Sequence, residues 1–425
     1  MPRNDALAGL ARDRLADLTL VLDLVRSGEA VTRPELGRRS GLGRTLITQC
    51  VIDLIESGLL EEADFGPSTG GRAPRQLRFR AEAGHVLVVE LGATSISVGL
   101  TDLSGALVAH REEPGSVTDG PETTMRRIGE LLDGLLTERG ASAPPVWGVG
   151  IGVPGPVEFR TGRPTAPPIM PGWDGFPVRQ RLAERYDVPV WVDNEVNLMA
   201  LGELRAGLGR GVRDFVFVKI GTGIGAGLIS AGRLHRGAQG CAGDVGHIAV
   251  LDDKAIVCRC GNTGCLEALA GGAALARDGL IAATDGRSRF LAQLVSEGTP
   301  VDARAIAWAA EHGDPVSVDL LNRSGRLVGD MLATLVNFFN PSLILIGGGV
   351  AASGDQFLAA IRQAVYARSL PLATRELRVA RSPLGDRAGL RGAGFMVTDE
   401  LFSHELLGAW LGNGSPAGRP ELVAG

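Results

Sequence analysis

Three of the five cysteines fall within eight residues, 258–265, which read CRCGNTGC. A histidine, His247, lies eleven residues before this segment, at the end of the glycine-rich stretch GDVGH. One imidazole and three thiolates form a closed tetrahedral set for zinc, with no open position for a catalytic water. The ligands that we expect for one structural Zn²⁺ per chain are His247, Cys258, Cys260 and Cys265. Free thiols in a loop are the alternative. Cys50 and Cys241 are interpreted as ordinary small residues.

Two glycine-rich turns are a second candidate functional feature, because such turns can bind phosphate. ELGATSI (90–96) and GTGIGAG (221–227) each lie between two strand-like apolar runs. A dinucleotide-binding loop would instead lead from a strand into a helix, so a nicotinamide enzyme is excluded. Paired hairpins with glycine turns that can face phosphate predict two α/β lobes with a cleft between them, as in the actin-like sugar kinases.

Several further motifs follow in a recognisable order. They read GVGIGVPGPV (148–157), PGWDGFPVRQRL (171–182), DNEVNLMALGE (193–203), GAQGCAGDVGH (237–247), CRCGNTGCLE (258–267) and NPSLILIGGGV (340–350). With the two glycine turns, they resemble the ROK family of repressors, open reading frames and kinases over about residues 84–400. The resemblance implies an actin-like, ribonuclease H-like fold with a zinc knot, and it places the chain in the repressor branch.

The resemblance also implies a ligand-binding pocket. Family members bind sugar hydroxyls with the residues that correspond to Asp244, His247 and Glu267. If one nitrogen of His247 binds zinc, the other carries a proton and can donate to a ligand hydroxyl. The pair Asn194–Glu195 stands where family kinases have Asn-Asp, whose aspartate takes the proton from the attacking sugar hydroxyl.

This chain departs from the kinase pattern at several of these positions. Glu195 replaces the catalytic aspartate, and a shift of about 1 Å in a catalytic group can cost about 100-fold in rate. In the first phosphate loop Glu90 replaces aspartate and Ala93 replaces glycine, whose missing side chain lets phosphate approach. Ile169 stands where sugar kinases often have asparagine, and Asp244 replaces a glutamate. We therefore expect no kinase activity.

The first 80 residues read as a winged helix-turn-helix. Helical spacing predicts three helices between residues 14 and 60, the second of them capped by Thr32, and two strands follow around a glycine-rich hairpin. The third helix exposes Arg44, Thr45, Thr48 and Gln49, which we expect to read DNA bases. Arg72, at the hairpin tip, is expected to reach a phosphate or the minor groove. A helical bundle whose exposed arginines are merely solvated is the alternative.

Composition and charge indicate the cellular setting and the domain organisation of the protein. The chain has 425 residues and a formal net charge of -5, of which the first 80 residues carry +1. The charged start has no apolar leader core, so we expect a reducing cytoplasm and no membrane association. The expected domains are 1–81 (winged helix-turn-helix), 82–402 (ROK domain) and 403–425 (flexible tail). Lobe one is expected at about 82–200 plus the C-terminal helix, and lobe two at about 201–385.

These observations predict a sugar-responsive transcriptional regulator, most simply a repressor. It would bind an inverted-repeat operator in double-stranded DNA as a homodimer or homotetramer, because a single head reads too few base pairs. Its small-molecule effector would be a sugar or sugar derivative in the cleft. An ATP-dependent sugar kinase with an appended DNA-binding head is the alternative, and a constitutive DNA-binding protein with an empty pocket is a third.

Overall fold

The computed structural model of the chain describes residues 12–65, 75–252, 255–351 and 354–423. These residues form a small N-terminal head, two α/β lobes, and two helices near the C-terminus that contact both the head and the lobes. Within the described ranges no helix is both long enough and apolar enough to cross a membrane.

The head contains three helices and one antiparallel hairpin. Its elements are α1 (Arg12–Arg26), α2 (Arg33–Ser40), α3 (Arg44–Glu56), β1 (Leu60–Phe65) and β2 (Arg75–Phe79). Thr32 caps α2, since its hydroxyl accepts a hydrogen bond from the backbone N–H of Glu35 at 3.4 Å. The carboxylate of Glu35 in turn accepts from the N–H of Val31 at 3.0 Å. This reciprocal capping fixes where α2 begins, close to the predicted position.

Lobe one is built on a five-stranded mixed sheet in the order β5-β4-β3-β6-β9. Its elements are β3 (His85–Leu91), β4 (Ser95–Asp102), β5 (Leu107–Pro114), α4 (Pro121–Arg139), β6 (Val146–Val153), β7 (Val157–Glu158), β8 (Arg163–Pro164), α5 (Val178–Tyr186), β9 (Val190–Asn194) and α6 (Glu195–Ala206). All residues of β3 are buried. A strand covered on both faces has a continuous apolar run rather than an alternating pattern, and residues 86–89 of β3, VLVV, form such a run.

Lobe two repeats this plan with the sheet order β12-β11-β10-β13-β14. Its elements are β10 (Phe215–Ile220), β11 (Ile224–Ser230), β12 (Arg233–His235), α7 (Leu266–Ala270), α8 (Gly272–Thr284), α9 (Arg289–Ser296), α10 (Ala303–Glu311), α11 (Pro315–Phe339), β13 (Leu343–Gly347), α12 (Asp355–Arg368), α13 (Pro371–Thr374) and β14 (Arg378–Arg381). The apolar strands β10 and β13 pair in parallel at its centre.

Two helices lie between the lobes, α6 and α14 (Ala388–Leu401). They approach very closely, because a Cβ atom on Gly202 would collide with the carbonyl oxygen of Ala388. A Cβ on Gly392 would collide with the carbonyl of Leu198 in the same way. Only glycine permits this backbone-to-backbone contact. The close contact makes α6 and α14 one packed unit beside the cleft.

The expectation of a flexible tail at 403–425 is wrong for its described part. The segment forms α15 (Leu407–Trp410), and Trp410 is fully buried. Its indole N–H donates to the carbonyl of Leu401 at 2.9 Å, and its ring lies 5.2 Å from that of Trp147. The glycine-rich sequence that follows α15 suggests disorder, whereas the burial of the Trp410 ring favours order.

The head does not have a separate hydrophobic core. Leu18 and Leu22 of α1 belong to the same cluster of buried residues as Trp147, Phe402 and Trp410. The sequence predicted a division near residue 81, and the elements do change from hairpin to lobe there. Tertiary packing nevertheless joins the head to lobe one through the C-terminal segment.

Candidate functional site

A cleft of about 870 Å³ opens between the two lobes. Both glycine turns line it, one between β3 and β4 and the other between β10 and β11. The start of α6, the proline-rich segment after β6 and the start of α7 complete the wall. The turns that the sequence singled out therefore face one shared space, large enough for a small molecule.

Asn194 and Glu195 lie where β9 meets α6. The amide oxygen of Asn194 accepts hydrogen bonds from the N–H groups of Val196 at 2.8 Å and Asn197 at 3.4 Å, so it caps α6. Its amide nitrogen donates to the carbonyl of Gly155 at 2.9 Å. Most of the hydrogen-bonding capacity of Asn194 is thus used to shape the cleft wall.

Glu195 itself is buried and faces Lys219 of β10. The ammonium group of Lys219 lies 3.4 Å from one carboxylate oxygen of Glu195. The other oxygen has no hydrogen-bond partner among the described residues. Burial raises the pKa of Glu195, and the positive charge of Lys219 opposes the rise. The sequence analysis did not predict this ion pair between Lys219 and Glu195.

Glu90, at the end of β3, is the third charged group in this part of the cleft. It is buried, and burial raises its pKa to about 7 against the opposing effect of Lys219. Burial also disfavours the charge on Lys219, but Glu195 and Glu90 outweigh that penalty and raise its pKa. The cleft therefore contains one ammonium group that interacts with two carboxyl groups.

The four predicted metal ligands come together beside the cleft. His247, Cys258, Cys260 and Cys265 offer ligand atoms that all lie within 4.8 Å of one another. Nδ1 of His247 is 3.6 Å from the sulfur of Cys258, and the sulfurs of Cys260 and Cys265 are 3.7 Å apart. Zinc–sulfur bonds of about 2.3 Å in a tetrahedron place sulfurs about 3.8 Å apart. The cluster is thus of the right size and composition for a structural metal ion.

The residues expected to bind ligand hydroxyls lie along the same wall. Asp244, His247 and Glu267 all line the cleft. Glu267 also has a structural contact, since its carboxylate accepts a hydrogen bond from the N–H of Ile224 at 3.1 Å. Because Nδ1 of His247 faces the thiols, its Nε2 remains for another partner. Ala93 and Ile169 line the cleft as well.

In the head, the four residues expected to contact bases all lie on α3 and are exposed: Arg44, Thr45, Thr48 and Gln49. Ile47, Cys50 and Val51 point the other way, into the core. The amide of Gln49 donates to Asp53 at 2.9 Å, so it is held against its own helix. Arg72 lies outside the described residues.

The family model for the ROK family matches residues 86–400. The chain belongs to the ROK family.

Comparisons with ROK proteins extend beyond the two lobes. The chain is 30% identical over 399 residues to the xylose repressor of Caldicellulosiruptor bescii. The aligned region covers 90% of this chain and 96% of that protein. The structure of a ROK family transcriptional regulator, a homologue of the Escherichia coli MLC protein, covers 98% of this chain and 100% of its own, with a TM-score of 0.79 at 24% identity. The predicted actin-like sugar-kinase fold is confirmed.

A ROK kinase is similar over a shorter part of the chain. The structure of a ROK family glucokinase from Streptomyces griseus, in complex with glucose and AMPPNP, is 32% identical, with a TM-score of 0.66. It covers 74% of this chain and 99% of its own. The repressor therefore matches a stretch of this chain that the kinase lacks.

One cleft residue escaped the sequence analysis, although a signal was present. The chain has two lysines against 41 arginines, and one of the two, Lys219, lies two residues before the turn GTGIGAG. A composition that uses arginine almost everywhere makes a lysine beside a glycine turn unusual. Lysine carries a compact point charge that fits between carboxylates where the planar guanidinium would not.

Proposed function

We propose that this protein is a sugar-responsive transcriptional repressor. Its winged helix-turn-helix head binds operator DNA, and a sugar or sugar derivative binds in the cleft and controls that binding. The observation that carries the proposal is the extent of similarity: the xylose repressor covers 90% of the chain, whereas the glucokinase covers 74%. A ROK protein that resembles repressors over its head as well as its lobes has the parts that a repressor needs.

The geometry of the head supports DNA binding. α3 begins at Arg44 directly after the turn at residues 41–43, and its first two turns leave arginine, threonine and glutamine exposed. These side chains can donate to and accept from base edges in a major groove. Arg72, which the sequence predicts at a hairpin tip, keeps its proposed role at a phosphate or the minor groove. Two-fold symmetry of a homodimer or homotetramer would require an inverted-repeat operator.

The cleft supports binding of a polyhydroxyl compound. Asp244 and Glu267 supply carboxylate acceptors, His247 supplies a nitrogen, and Asn194 and Glu195 line the same cleft. We propose zinc as the ion of the Cys/His cluster, because three thiolates and one imidazole suit it. Bound there, zinc would hold His247 in place and fix which nitrogen carries the proton.

The same cleft argues against phosphoryl transfer. A general base must be free to take a proton, yet Glu195 is paired with Lys219 at 3.4 Å. Ala93 adds a methyl group to the first glycine turn, and Ile169 cannot hydrogen-bond a sugar. An ATP-dependent sugar kinase remains the second candidate because a glucokinase is 32% identical over the two lobes.

A coupled ATPase assay with a panel of sugars separates the two candidates. We expect turnover at least about 100-fold below 1 s⁻¹, which is the lower end of the usual enzyme range. Glu195→Asp alone should not raise turnover, since Lys219, Ala93 and Ile169 remain. Turnover of about 1 s⁻¹ or more with any sugar, abolished by Glu195→Gln, would establish the kinase instead.

A further inference from the structure

The charged groups at the base of the cleft are arranged around Lys219. Its side chain is 18% exposed and that of Glu195 is 8% exposed, so both lie largely out of water. Glu90 is buried against α14, where a Cβ atom on Gly389 would collide with its carboxylate. One oxygen of Glu90 and one of Glu195 lack any hydrogen-bond partner among the described residues.

A buried carboxylate with an unpartnered oxygen, as in Glu195, would ordinarily attract a hard divalent cation, which prefers oxygen ligands. In nucleotide-dependent phosphoryl transfer, such ions bridge the phosphates and neutralise the charge that develops on them. Here the position beside the Glu195 carboxylate is taken by the ammonium group of Lys219, at 3.4 Å. A divalent ion bound to the free oxygen of Glu195 would face that ammonium across a few ångströms of low-dielectric space, where like charges repel strongly.

We propose that Lys219 is a resident cation that takes the place of a divalent metal beside Glu195, so that the cleft binds an uncharged polyhydroxyl effector without metal or nucleotide. The effector part rests on the proposed function, whereas the exclusion of metal does not. Lys219 is thus a specificity-determining residue of the cleft.

The charges on the rest of the wall favour an uncharged effector. Asp244 and Glu267 lie on the side expected to bind hydroxyls, and further acids reach the cleft from β5 and from the start of α10. Arg304 is the other permanent cation on the described wall, and it is exposed. A phosphorylated effector would bring its negative charge into an acidic space whose inner cation is already paired.

Manganese(II) binding, followed by water-proton relaxation on zinc-replete protein, tests the proposal directly. The natural protein should show no saturable Mn²⁺ site in the cleft, with or without AMPPNP. Lys219→Met removes the charge while keeping a side chain of similar length. It should create a saturable site whose affinity for Mn²⁺ is at least tenfold above the upper limit measured for the natural protein. Adding Glu195→Gln should abolish that site. Arg304→Met, which removes a cation from the same wall, should gain nothing.

A second variant guards against misfolding of Lys219→Met. Lys219→Gln is neutral but can still donate a hydrogen bond to Glu195, and it should gain the same site. Saturable Mn²⁺·AMPPNP binding by the natural protein would overturn the proposal, as would the absence of any gain in a folded Lys219 variant. Binding of inorganic phosphate that depends on Lys219 would identify an anion anchor and overturn it as well. None of these results depends on whether the head binds DNA.

Discussion

At the scale of single residues, His247 connects the metal cluster to the cleft. Its Nδ1 lies 3.6 Å from the sulfur of Cys258, and the residue also lines the cleft. A metal held through Nδ1 leaves the proton on Nε2, so the imidazole becomes a fixed hydrogen-bond donor. A metal bound by this cluster would therefore set the chemistry that one cleft residue can offer.

Cys260→Ser should release the metal, since it removes one of four ligands from a closed site. Elemental analysis should find about one zinc per natural chain and much less in the variant. The melting temperature should also fall, because metal that binds the folded state adds its binding energy to folding. Cys241→Ser, which changes an exposed cysteine outside the cluster, is the matched control. Full zinc retention in Cys260→Ser would refute the ligand assignment.

The metal ligands and Lys219 show what residue types can and cannot reveal. Three cysteines in eight residues, with a histidine shortly before them, are typical of metal binding, so the cluster of four residues could be predicted from their types and spacing. Lys219 pairs with Glu195 across 24 positions of sequence and between two lobes. No local pattern encodes that pairing, because it depends on how the lobes pack together.

At the scale of elements, the helices and strands of both lobes follow the apolar runs and glycine turns closely. The buried strand β13 and residues 86–89 of β3 are continuous apolar stretches, and caps such as Thr32 mark helix starts. The prediction for the C-terminal segment, residues 403–425, was wrong for its described part. Its order depends on Trp410 packing beside Trp147 and Phe402, and the contact with Trp147 joins positions too far apart in the sequence for a local pattern to encode.

Trp410→Ala should destabilise the protein by about 3–5 kcal/mol, the usual cost of deleting a buried aromatic side chain. The loss should also loosen the head, since α1 packs into the same core. Urea denaturation followed by circular dichroism measures the change. Leu372→Ala, at a residue that is 73% exposed, should change stability by less than about 0.5 kcal/mol. Equal stabilities for the two variants would mean that the segment does not anchor the head.

Arg44→Ala should reduce discrimination between the operator and unrelated DNA by about 1–3 kcal/mol, because α3 presents this side chain to base edges. Fluorescence anisotropy with both DNA types at several salt concentrations measures the effect. Arg160→Ala removes an equal charge from an exposed position on lobe one and should leave discrimination unchanged. Equal weakening on both DNA types would instead place Arg44 at a phosphate.

At the scale of the whole molecule, α14 reaches from the cleft to the head. Its first turn packs against Glu90, and near its end Thr398 and Asp399 lie 3.4 Å from the guanidinium of Arg26 on α1. A helix of 14 residues spans about 21 Å. An effector can move the head only by binding one arrangement more tightly than the other. α14 offers a rigid element through which that preference could reach α1.

The proposed sensor can be tested with the variant Glu267→Gln. This substitution removes the negative charge, while the amide oxygen can still accept the hydrogen bond from Ile224. An uncharged amide oxygen accepts a weaker hydrogen bond from a sugar hydroxyl than a carboxylate does. About tenfold more effector should therefore be needed for the same response. Glu297→Gln, at an exposed position elsewhere on lobe two, is the matched control. Each variant should bind operator as tightly as the natural protein in the absence of effector.

Release of operator DNA by a sugar is the measurement that tests the central claim most directly. An operator selected in vitro is labelled, bound to the natural protein and titrated with unphosphorylated sugars while anisotropy is followed. We predict that at least one sugar releases the DNA, that Glu267→Gln shifts its titration about tenfold, and that Glu297→Gln does not. Tight operator binding that no sugar alters, or identical titrations for Glu267→Gln and the natural protein, would contradict the account.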